Sequence, residues 1–362
     1  MGNGKGFLPS ARAGALFEAL EHTFSGPRSL ESLPLQLRDT AGLLDGALRA
    51  EPSIHILARQ RAEAACVRYT ALDGGGPLDV PIFLWAPWYL KRSQEMAAAR
   101  SRLGDTADYR PVLSCSVNTG CAIGATEDEA LLHALNEWAE RDAFSLFLVR
   151  SVHDGGPLPS RIPATILPTA LRHEYDRAAA LAQGPVALLD LTTDVGIPVV
   201  LACTAASPGR RPHYGLGASL SIETAVARAI SELVQEILLR DAFVDPGHMA
   251  AVEARLAPYP RLLACARLSF TERLSQAPVA TALDGPRPCP TSVAEQREEA
   301  VVRIASVGRR VVAHRLCVME HGTTVVQVQC PGLERFHLIT EGHLARLGAR
   351  ARSARSRQRG PR

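Results

Sequence analysis

The sequence predicts an α+β fold in which helices pack in layers on mixed or antiparallel sheets. Short apolar and β-branched runs alternate along the chain with amphipathic helical patterns. One strand–turn–strand pattern also occurs twice, at residues 186–203 and 310–330, which indicates an internal duplication. With 362 residues and 46% apolar composition, the chain is long enough to bury a substantial core.

Amphipathic helices are the clearest local signals in the chain. Leu131, Leu135 and Trp138 recur at helical spacing behind Thr126, and a capping box of Thr126 with Glu129 marks where this long helix begins. The same kind of periodicity predicts four further helices. They cover residues 10–22, 170–182, 221–243 and 292–307.

Strands are predicted where apolar and β-branched residues cluster between turn signals. These strands cover residues 64–72 and 80–85, followed by the pairs 186–191 with 197–203 and 310–318 with 323–330. The glycine-containing stretches 118–124 and 213–219 are interpreted as loops, and residues 25–60 and 87–109 as irregular connections.

Positive charge is concentrated at the end of the chain. The net charge is +3, but residues 346–362 hold seven Arg and no acid, so the remainder is slightly acidic and presents no general basic face for nucleic acid. We expect residues 337–362 to form a disordered, solubilising tail, with binding to RNA or a membrane surface as the alternative. Glycines and prolines at residues 151–168 suggest a boundary between subdomains.

Targeting signals and paired cysteines are both missing from the sequence. No apolar run approaches the ~20 residues of a membrane span, and the N-terminus lacks the apolar region of a signal peptide, so a cytoplasmic location without a membrane partner is expected. The eight Cys are scattered without CxxC spacing and are predicted to be reduced thiols. Cys121 lies in a glycine loop, but no His and Asp pattern accompanies it, so a nucleophilic role is the minor alternative.

Acidic or amide residues three positions apart mark three of the predicted helices, each behind a glycine-containing loop. These pairs are Glu18 with Glu21, Glu137 with Glu140, and Glu232 with Gln235. Residues at this spacing lie on one face of a helix, and oxygen ligands suit Mg²⁺ better than zinc. Lys5 and Arg141 could neutralise phosphates beside such an ion. From the residues alone, two interpretations stay open: a shared Mg²⁺–nucleotide site, or solvated helix faces.

Three segments of the chain resemble motifs of the YcaO family, in the same order. The first is a GKG loop followed by a helix with paired acids, at residues 4–22; it is not a Walker A motif, because no Ser or Thr follows the Lys. The second is VNTGCAIGATEDEALLHALNEWAERDA, residues 117–143, and the third is GLGASLSIETAVARAISELVQ, residues 215–235. A late strand followed by PGLE, residues 331–334, also matches, so that the resemblance covers residues 2–336.

The resemblance implies a YcaO-like fold, a catalytic domain over residues 1–336, and ATP with Mg²⁺ as cofactors. It assigns to Mg²⁺ the carboxylates of Glu18, Glu21, Glu137, Glu140 and Glu232. It assigns to ATP the same five residues together with Lys5, Arg141 and Gln235. The chain departs from the family pattern at His22, where Arg is usual, and at Asn118-Thr119, where Ser-Asn is usual. His22 and His133 lie near these motifs in sequence and are interpreted as structural.

The implied activity is ATP-dependent activation of a backbone amide in a ribosomally synthesised precursor peptide, with cyclodehydration of Cys, Ser or Thr to thiazoline or oxazoline. The alternatives are a thioamide-forming enzyme with a sulfur-delivery partner, and a catalytically degenerate scaffold protein. No leader-binding domain is evident, so a separate leader-binding partner of the ocin-ThiF type is expected. A flavin dehydrogenase that oxidises the azolines is a second candidate partner, and a homodimer is left open.

Overall fold

The structure is a computed structural model that describes residues 8–205, 211–243, 246–283, 285, 290–344 and 346–358, with the side chains of 8–10, 241–246, 248 and 354–358 left aside. Helices and strands alternate along this described chain. In chain order they are α1 (Leu8–Phe24), β1 (Leu35–Asp39), α2 (Pro52–Ala58), β2 (Glu63–Ala71), β3 (Leu78–Pro81), α3 (Gln94–Leu103), β4 (Cys121–Gly124), α4 (Glu127–Phe147), β5 (Arg161–Ile162), α5 (Thr169–Leu181), β6 (Val186–Asp190), β7 (Val199–Thr204), β8 (Tyr214–Ala218), α6 (Ile222–Phe243), α7 (Pro246–Leu256), α8 (Pro260–Arg267), α9 (Val293–Ser306), β9 (Val312–Val318), β10 (Thr324–Gln329) and α10 (Ala349–Gln358).

The chain divides into two compact units. Unit 1 consists of Met1–Trp138 and Pro290–Leu333, and unit 2 of Ala139–Cys289 and Glu334–Arg362. The first change of unit falls inside α4, so one continuous helix supplies residues to both cores. The Gly- and Pro-containing stretch 151–168, where a boundary was expected, lies within unit 2.

Unit 1 is built on a six-stranded sheet ordered β1-β2-β9-β10-β4, with β3 also paired to β2. All of its neighbouring strands are antiparallel, and the predicted pairing of residues 310–318 with 323–330 is confirmed by β9 and β10. The stretch 118–124, interpreted as a loop, contains β4 at the edge of this sheet. The strand predicted over 80–85 ends at Pro81 and gives way to a 3-10 turn over Ile82–Leu84.

The connection predicted over residues 87–109 is a well-packed part of unit 1. It contains α3, and its Tyr89 and Tyr109 are almost fully buried. Both tyrosine hydroxyls donate to Oδ2 of Asp105 at 2.7 Å, and the N–H of Ala65 in β2 donates to the same oxygen. The polar composition of this stretch therefore hides a buried hydrogen-bonded network rather than an irregular surface segment.

Unit 2 is built on a four-stranded antiparallel sheet ordered β5-β6-β7-β8. The predicted pair over 186–191 and 197–203 is confirmed by β6 and β7, whose register joins Val186 to Thr204. The stretch 213–219, interpreted as a loop, forms β8, on which α6 packs. One apolar cluster in this unit contains the aromatic rings of Phe144, Phe147 and Phe270.

The described part of residues 337–362 differs from the expected disordered tail. Residues Phe336–Glu341 form a 3-10 helix, and Leu338 and Ile339 are each 1% exposed. Helix α10 follows, and Arg350 in its first turn pairs with the fully buried Asp142. The Arg-rich composition suggested a disordered tail. Composition alone does not show that one of these residues, Arg350, has a buried partner.

The described cysteines are all free, in agreement with the predicted reduced thiols, and Cys289 lies outside the described residues. None of the helices in the described part of the chain combines the length and the apolarity that a membrane span requires.

Candidate functional site

Two of the predicted acids, Glu18 and Glu21, lie about one turn apart on α1, which begins at Leu8, two residues before the predicted start of this helix. Helix α1 packs against β4, and the carboxylate of Glu21 accepts the backbone N–H of Ile123. Burial, followed by the charges of Glu137 and Glu18, raises the pKa of Glu21 to about 8. The structure thus brings three of the predicted acids together within unit 1.

Glu137 is held in place by the backbone ahead of β4. The N–H of Gly120 donates to Oε2 of Glu137 at 3.0 Å. Gly120 has φ +84°, and a Cβ there would lie 2.2 Å from the carbonyl oxygen of Val328, so only glycine fits. Nε1 of Trp138 donates to that same carbonyl at 2.8 Å and fixes this turn of α4 against β10.

A buried glutamine supports this backbone turn from the sheet. Gln327 is 0% exposed; its Oε1 accepts the hydroxyl of Tyr69 at 2.7 Å and its Nε2 donates to the carbonyl of Thr119 at 3.0 Å. Its side chain therefore ties the residue before Gly120 to β10. Gln327 was not among the predicted functional residues, although two glutamines in the otherwise apolar run TVVQVQC indicate buried polar side chains in this strand.

Cys121 lies beside the acids but is a protonated thiol. It is 5% exposed, and burial, followed by the charges of Glu21 and Glu137, raises its pKa well above the ordinary value. A thiol that stays protonated is a poor nucleophile, which agrees with treating the nucleophilic role as the minor alternative.

Unit 2 carries the other four described residues of the predicted set. Glu140 is 8% exposed, and its Oε1 lies 3.9 Å from the guanidinium of Arg141. Glu232 and Gln235 lie three residues apart on α6, and both are half-buried. In the next turn Arg240 pairs with Glu236 at 2.8 Å and donates to the carbonyls of residues 211 and 212, which anchors α6 to the segment ahead of β8.

Three remaining residues from the sequence analysis have less structural support. Lys5 lies outside the described residues. His22 is exposed and lies 3.5 Å from Glu18, one turn away on the same helix. His133 lies on the exposed side of α4. Neither histidine has the burial expected of a proton-transferring group, which agrees with their structural interpretation.

The donor set fits Mg²⁺ in its chemistry, because every candidate ligand is a carboxylate oxygen. Among the described residues, no group of three or more His, Cys, Asp or Glu side chains has the arrangement of a preformed metal centre. The raised pKa of Glu21 nevertheless reflects burial first and then repulsion from the charges of Glu137 and Glu18. A bound cation would relieve this repulsion and draw the three carboxylates together.

The family profile that matches residues 3–334 is described as a YcaO cyclodehydratase that binds ATP and Mg²⁺. The match covers most of the chain and places it among ATP- and Mg²⁺-binding proteins. This protein therefore belongs to the YcaO family. The expected YcaO-like fold and the expected cofactors are confirmed.

The chain also has a relative by sequence similarity. An uncharacterized protein of Methanothermobacter thermautotrophicus strain Delta H is 31% identical over 256 residues, which is 68% of this chain and 63% of the relative. The chain thus spans less than two thirds of that relative's length.

Solved structures share the fold at lower identity. The YcaO from Methanopyrus kandleri bound with AMPPCP and Mg²⁺ is 23% identical with a TM-score of 0.65, over 96% of this chain and 82% of that one. A heterocyclase in complex with substrate and cofactor is 18% identical with a TM-score of 0.64, over 92% and 45%. The E. coli microcin synthetase McbBCD complex contains a chain that is 16% identical with a TM-score of 0.59, over 89% and 79%.

Proposed function

We propose that this protein uses ATP and Mg²⁺ to activate a backbone amide of a ribosomally synthesised precursor peptide and cyclodehydrates Cys, Ser or Thr to thiazoline or oxazoline. Membership of a family described as cyclodehydratases supports the reaction class. The structural observation that carries the proposal is the group that the buried carboxylate of Glu21 forms with Glu137 and Glu18: burial, followed by the charges of these two residues, raises the pKa of Glu21 to about 8. Oxygen ligands in such a group are suited to a hard divalent cation.

The proposed roles follow the predicted set. The carboxylates of Glu18, Glu21, Glu137, Glu140 and Glu232 would hold Mg²⁺. Lys5, Arg141 and Gln235 would contact ATP beside them. When bound, Mg²⁺ neutralises charge on the phosphates during phosphoryl transfer. Arg141, half-buried beside Glu140, presents a guanidinium that suits a phosphate oxygen pair.

The proposed reaction is balanced by one ATP. The thiol or hydroxyl of the substrate residue loses its proton and attacks the preceding carbonyl carbon, and the new C–S or C–O bond closes a five-membered ring. The former carbonyl oxygen takes the γ-phosphoryl group and ADP leaves. Phosphate then departs with that oxygen, the amide proton is lost, and a C=N bond forms within the ring to give the azoline. Such a transfer depends on positioning and charge neutralisation more than on a strong base.

We propose that a leader-binding partner of the ocin-ThiF type delivers the precursor and that a flavin dehydrogenase oxidises the azolines. The E. coli relative is a complex of several proteins that was also solved with pro-MccB17 bound, which supports a partner-dependent activity here.

Mass spectrometry of a candidate precursor tests the reaction. With ATP, Mg²⁺ and the partner protein present, each modified residue should lose the mass of one water. A gain that corresponds to sulfur in place of oxygen would assign thioamide formation instead. A folded protein that neither hydrolyses ATP nor changes the precursor would contradict the proposal and leave a scaffold role.

Paired variants test the site assignment. Glu137→Gln and Glu232→Gln should each lower the rate by about 100-fold or more, because each removes one carboxylate that would hold Mg²⁺ beside the phosphates. Their matched controls are the exposed Glu127→Gln on α4 and Glu223→Gln on α6, which should keep the wild-type rate. Circular dichroism should show the same fold for all four variants. Unchanged turnover in both site variants would contradict the assignment of Glu137 and Glu232 to the site.

A further inference from the structure

Helix α4 carries a buried carboxylate, Asp142, just beyond Glu140 and Arg141. Asp142 is 0% exposed, and burial raises its pKa while Arg350 opposes that rise. Nε and Nη2 of Arg350 donate to the two carboxylate oxygens at 3.0 Å each, and the side chain of Arg350 is itself only 8% exposed. A bidentate Arg pair of this kind fixes both distance and orientation.

The same carboxylate is linked to the C-terminal segment a second time. The N–H of Glu334 donates to Oδ1 of Asp142 at 2.8 Å. The carboxylate of Glu334, 1% exposed, accepts the N–H groups of Gly348 and Ala351 at 2.8 Å each, at the start of α10. A negative charge at a helix N-terminus is favourable, so Glu334 orients the helix that carries Arg350. Asp142, Glu334 and Arg350 thus close a ring of contacts, which we call the C-terminal clamp.

A further contact ties the same turn of α4 to this segment. The hydroxyl of Ser145 donates to the carbonyl of Arg141 at 2.7 Å and accepts the N–H of His337 at 2.9 Å. The contact of Arg350 with Asp194 contributes less to stability, because solvent screens an exposed ion pair. Nη2 of Arg350 lies 2.5 Å from the carboxylate of Asp194, whose side chain is 63% exposed.

We infer that Arg350 is a positioning residue that fixes the turn of α4 bearing Glu140 and Arg141. This inference rests on the proposed nucleotide role of those two residues. Without Arg350 a fully buried carboxylate loses its counter-charge, and the turn next to it must rearrange to reach water. The C-terminal clamp thereby sets the affinity for ATP.

The test compares four variants of the full chain. In Arg350→Ala the KM for ATP should rise by about 10- to 100-fold, a typical effect of removing a residue that orients a ligand. Arg350→Lys should restore part of the loss, because it returns the charge without the bidentate geometry. Arg352→Ala, an exposed neighbour on α10, and Asp194→Asn should keep the wild-type KM.

A double variant guards against a mere loss of folding. Asp142→Asn with Arg350→Met removes both buried charges together, so the fold should survive while the fixed geometry is lost. A folded double variant with the wild-type KM for ATP would overturn the inference, as would an Arg350→Ala protein that melts earlier but binds ATP normally.

Hydrogen exchange separates this inference from the proposed function. Without nucleotide, amides of residues 139–145 should exchange faster in Arg350→Ala than in Arg352→Ala. If the wild type does not bind ATP at all, the proposed function fails while this comparison still reports whether the clamp orders the turn. Equal exchange in the two variants would overturn the inference even if the wild type binds ATP.

Discussion

Two regions of the molecule share one arrangement and use their glycines differently. In unit 1 the glycine-containing strand β4 lies beside β10, the second strand of a hairpin, and leads into the long helix α4. In unit 2 the glycine-containing strand β8 lies beside β7, again the second strand of a hairpin, and leads into the long helix α6. This correspondence is the structural form of the duplication seen in the sequence.

The first region uses its glycines in two ways: Gly124 in β4 packs against α4, where a Cβ would lie 2.4 Å from the nitrogen of Ala130, while Gly120 serves the backbone conformation and the acid. Gly120 adopts a positive φ and points its N–H at Glu137. The glycines of the second region serve packing. A Cβ on Gly217 would lie 2.2 Å from the carbonyl oxygen of Ala225 and 2.5 Å from the nitrogen of Ala229, so α6 rests directly on β8. One sequence signature, glycines before a helix with acids, therefore has two physical meanings.

The largest effect is expected where α6 packs on the glycines of β8. Gly217→Ala should lower the free energy of unfolding by about 3 kcal/mol or more, because helix backbone cannot move aside as a flexible side chain does. Gly184→Ala in the same unit meets no atom closer than 4.0 Å and should change stability little. Chemical denaturation of both variants checks the prediction, and equal stabilities would show that α6 can shift from the strand.

A comparable loss of stability, together with a loss of binding, is expected on the other side. Gly120→Ala should cost about 3 kcal/mol or more through its positive φ and its contact with the carbonyl oxygen of Val328. In the protein that remains folded it should also weaken binding of Mg²⁺–ATP, because the backbone must shift and the N–H of residue 120 then no longer points at Glu137. Gly42→Ala, which meets no atom within 4 Å, is the matched control. Normal nucleotide affinity in folded Gly120→Ala would contradict the role given to this turn.

The remaining prediction concerns pH and the acids of the first region. The pKa of Glu21 is raised from 4.5 to about 8, so the protein without a cation holds a proton on Glu21 that the unfolded chain releases near pH 4.5. The native state then binds more protons, and this group makes stability fall as pH rises from about 4.5 to 8. Apparent Mg²⁺ affinity should rise with pH up to about 8 and level off above it.

Calorimetry of Mg²⁺ binding across this pH range measures the effect. Proton release on binding should accompany it near neutral pH, and Glu21→Gln should remove both the release and the slope. A slope that persists unchanged in Glu21→Gln would place the titrating group elsewhere.

Strong periodicity made much of the fold predictable. The helices α1, α4, α5, α6 and α9 and both hairpins follow from repeating apolar positions, and the box at Thr126 marks the start of α4 as expected. Strands β4 and β8 were interpreted as loops because glycine is depleted in strands. Glycine is needed in both strands because a helix packs closely on each of them, and this packing cannot be read from the sequence.

The candidate site was predictable in part for the same reason. Acids three residues apart can be found along one helix, but the sequence alone does not show that Glu18 and Glu137 both lie near Glu21. The C-terminal clamp was not predictable, since Asp142 and Arg350 are 208 residues apart and the Arg-rich end resembles a solvated tail. Gln327 was missed because nothing local shows that a strand amide holds Thr119.

The most direct test of the account is Mg²⁺-dependent binding of a non-hydrolysable ATP analogue, measured by calorimetry on the wild type, Glu21→Gln, Glu137→Gln and the exposed control Glu127→Gln. The account predicts that the wild type and the control bind the analogue only with Mg²⁺ present, and that each site variant weakens binding by about tenfold or more. Wild-type affinity in folded Glu21→Gln and Glu137→Gln would contradict the assignment of these carboxylates to the cation.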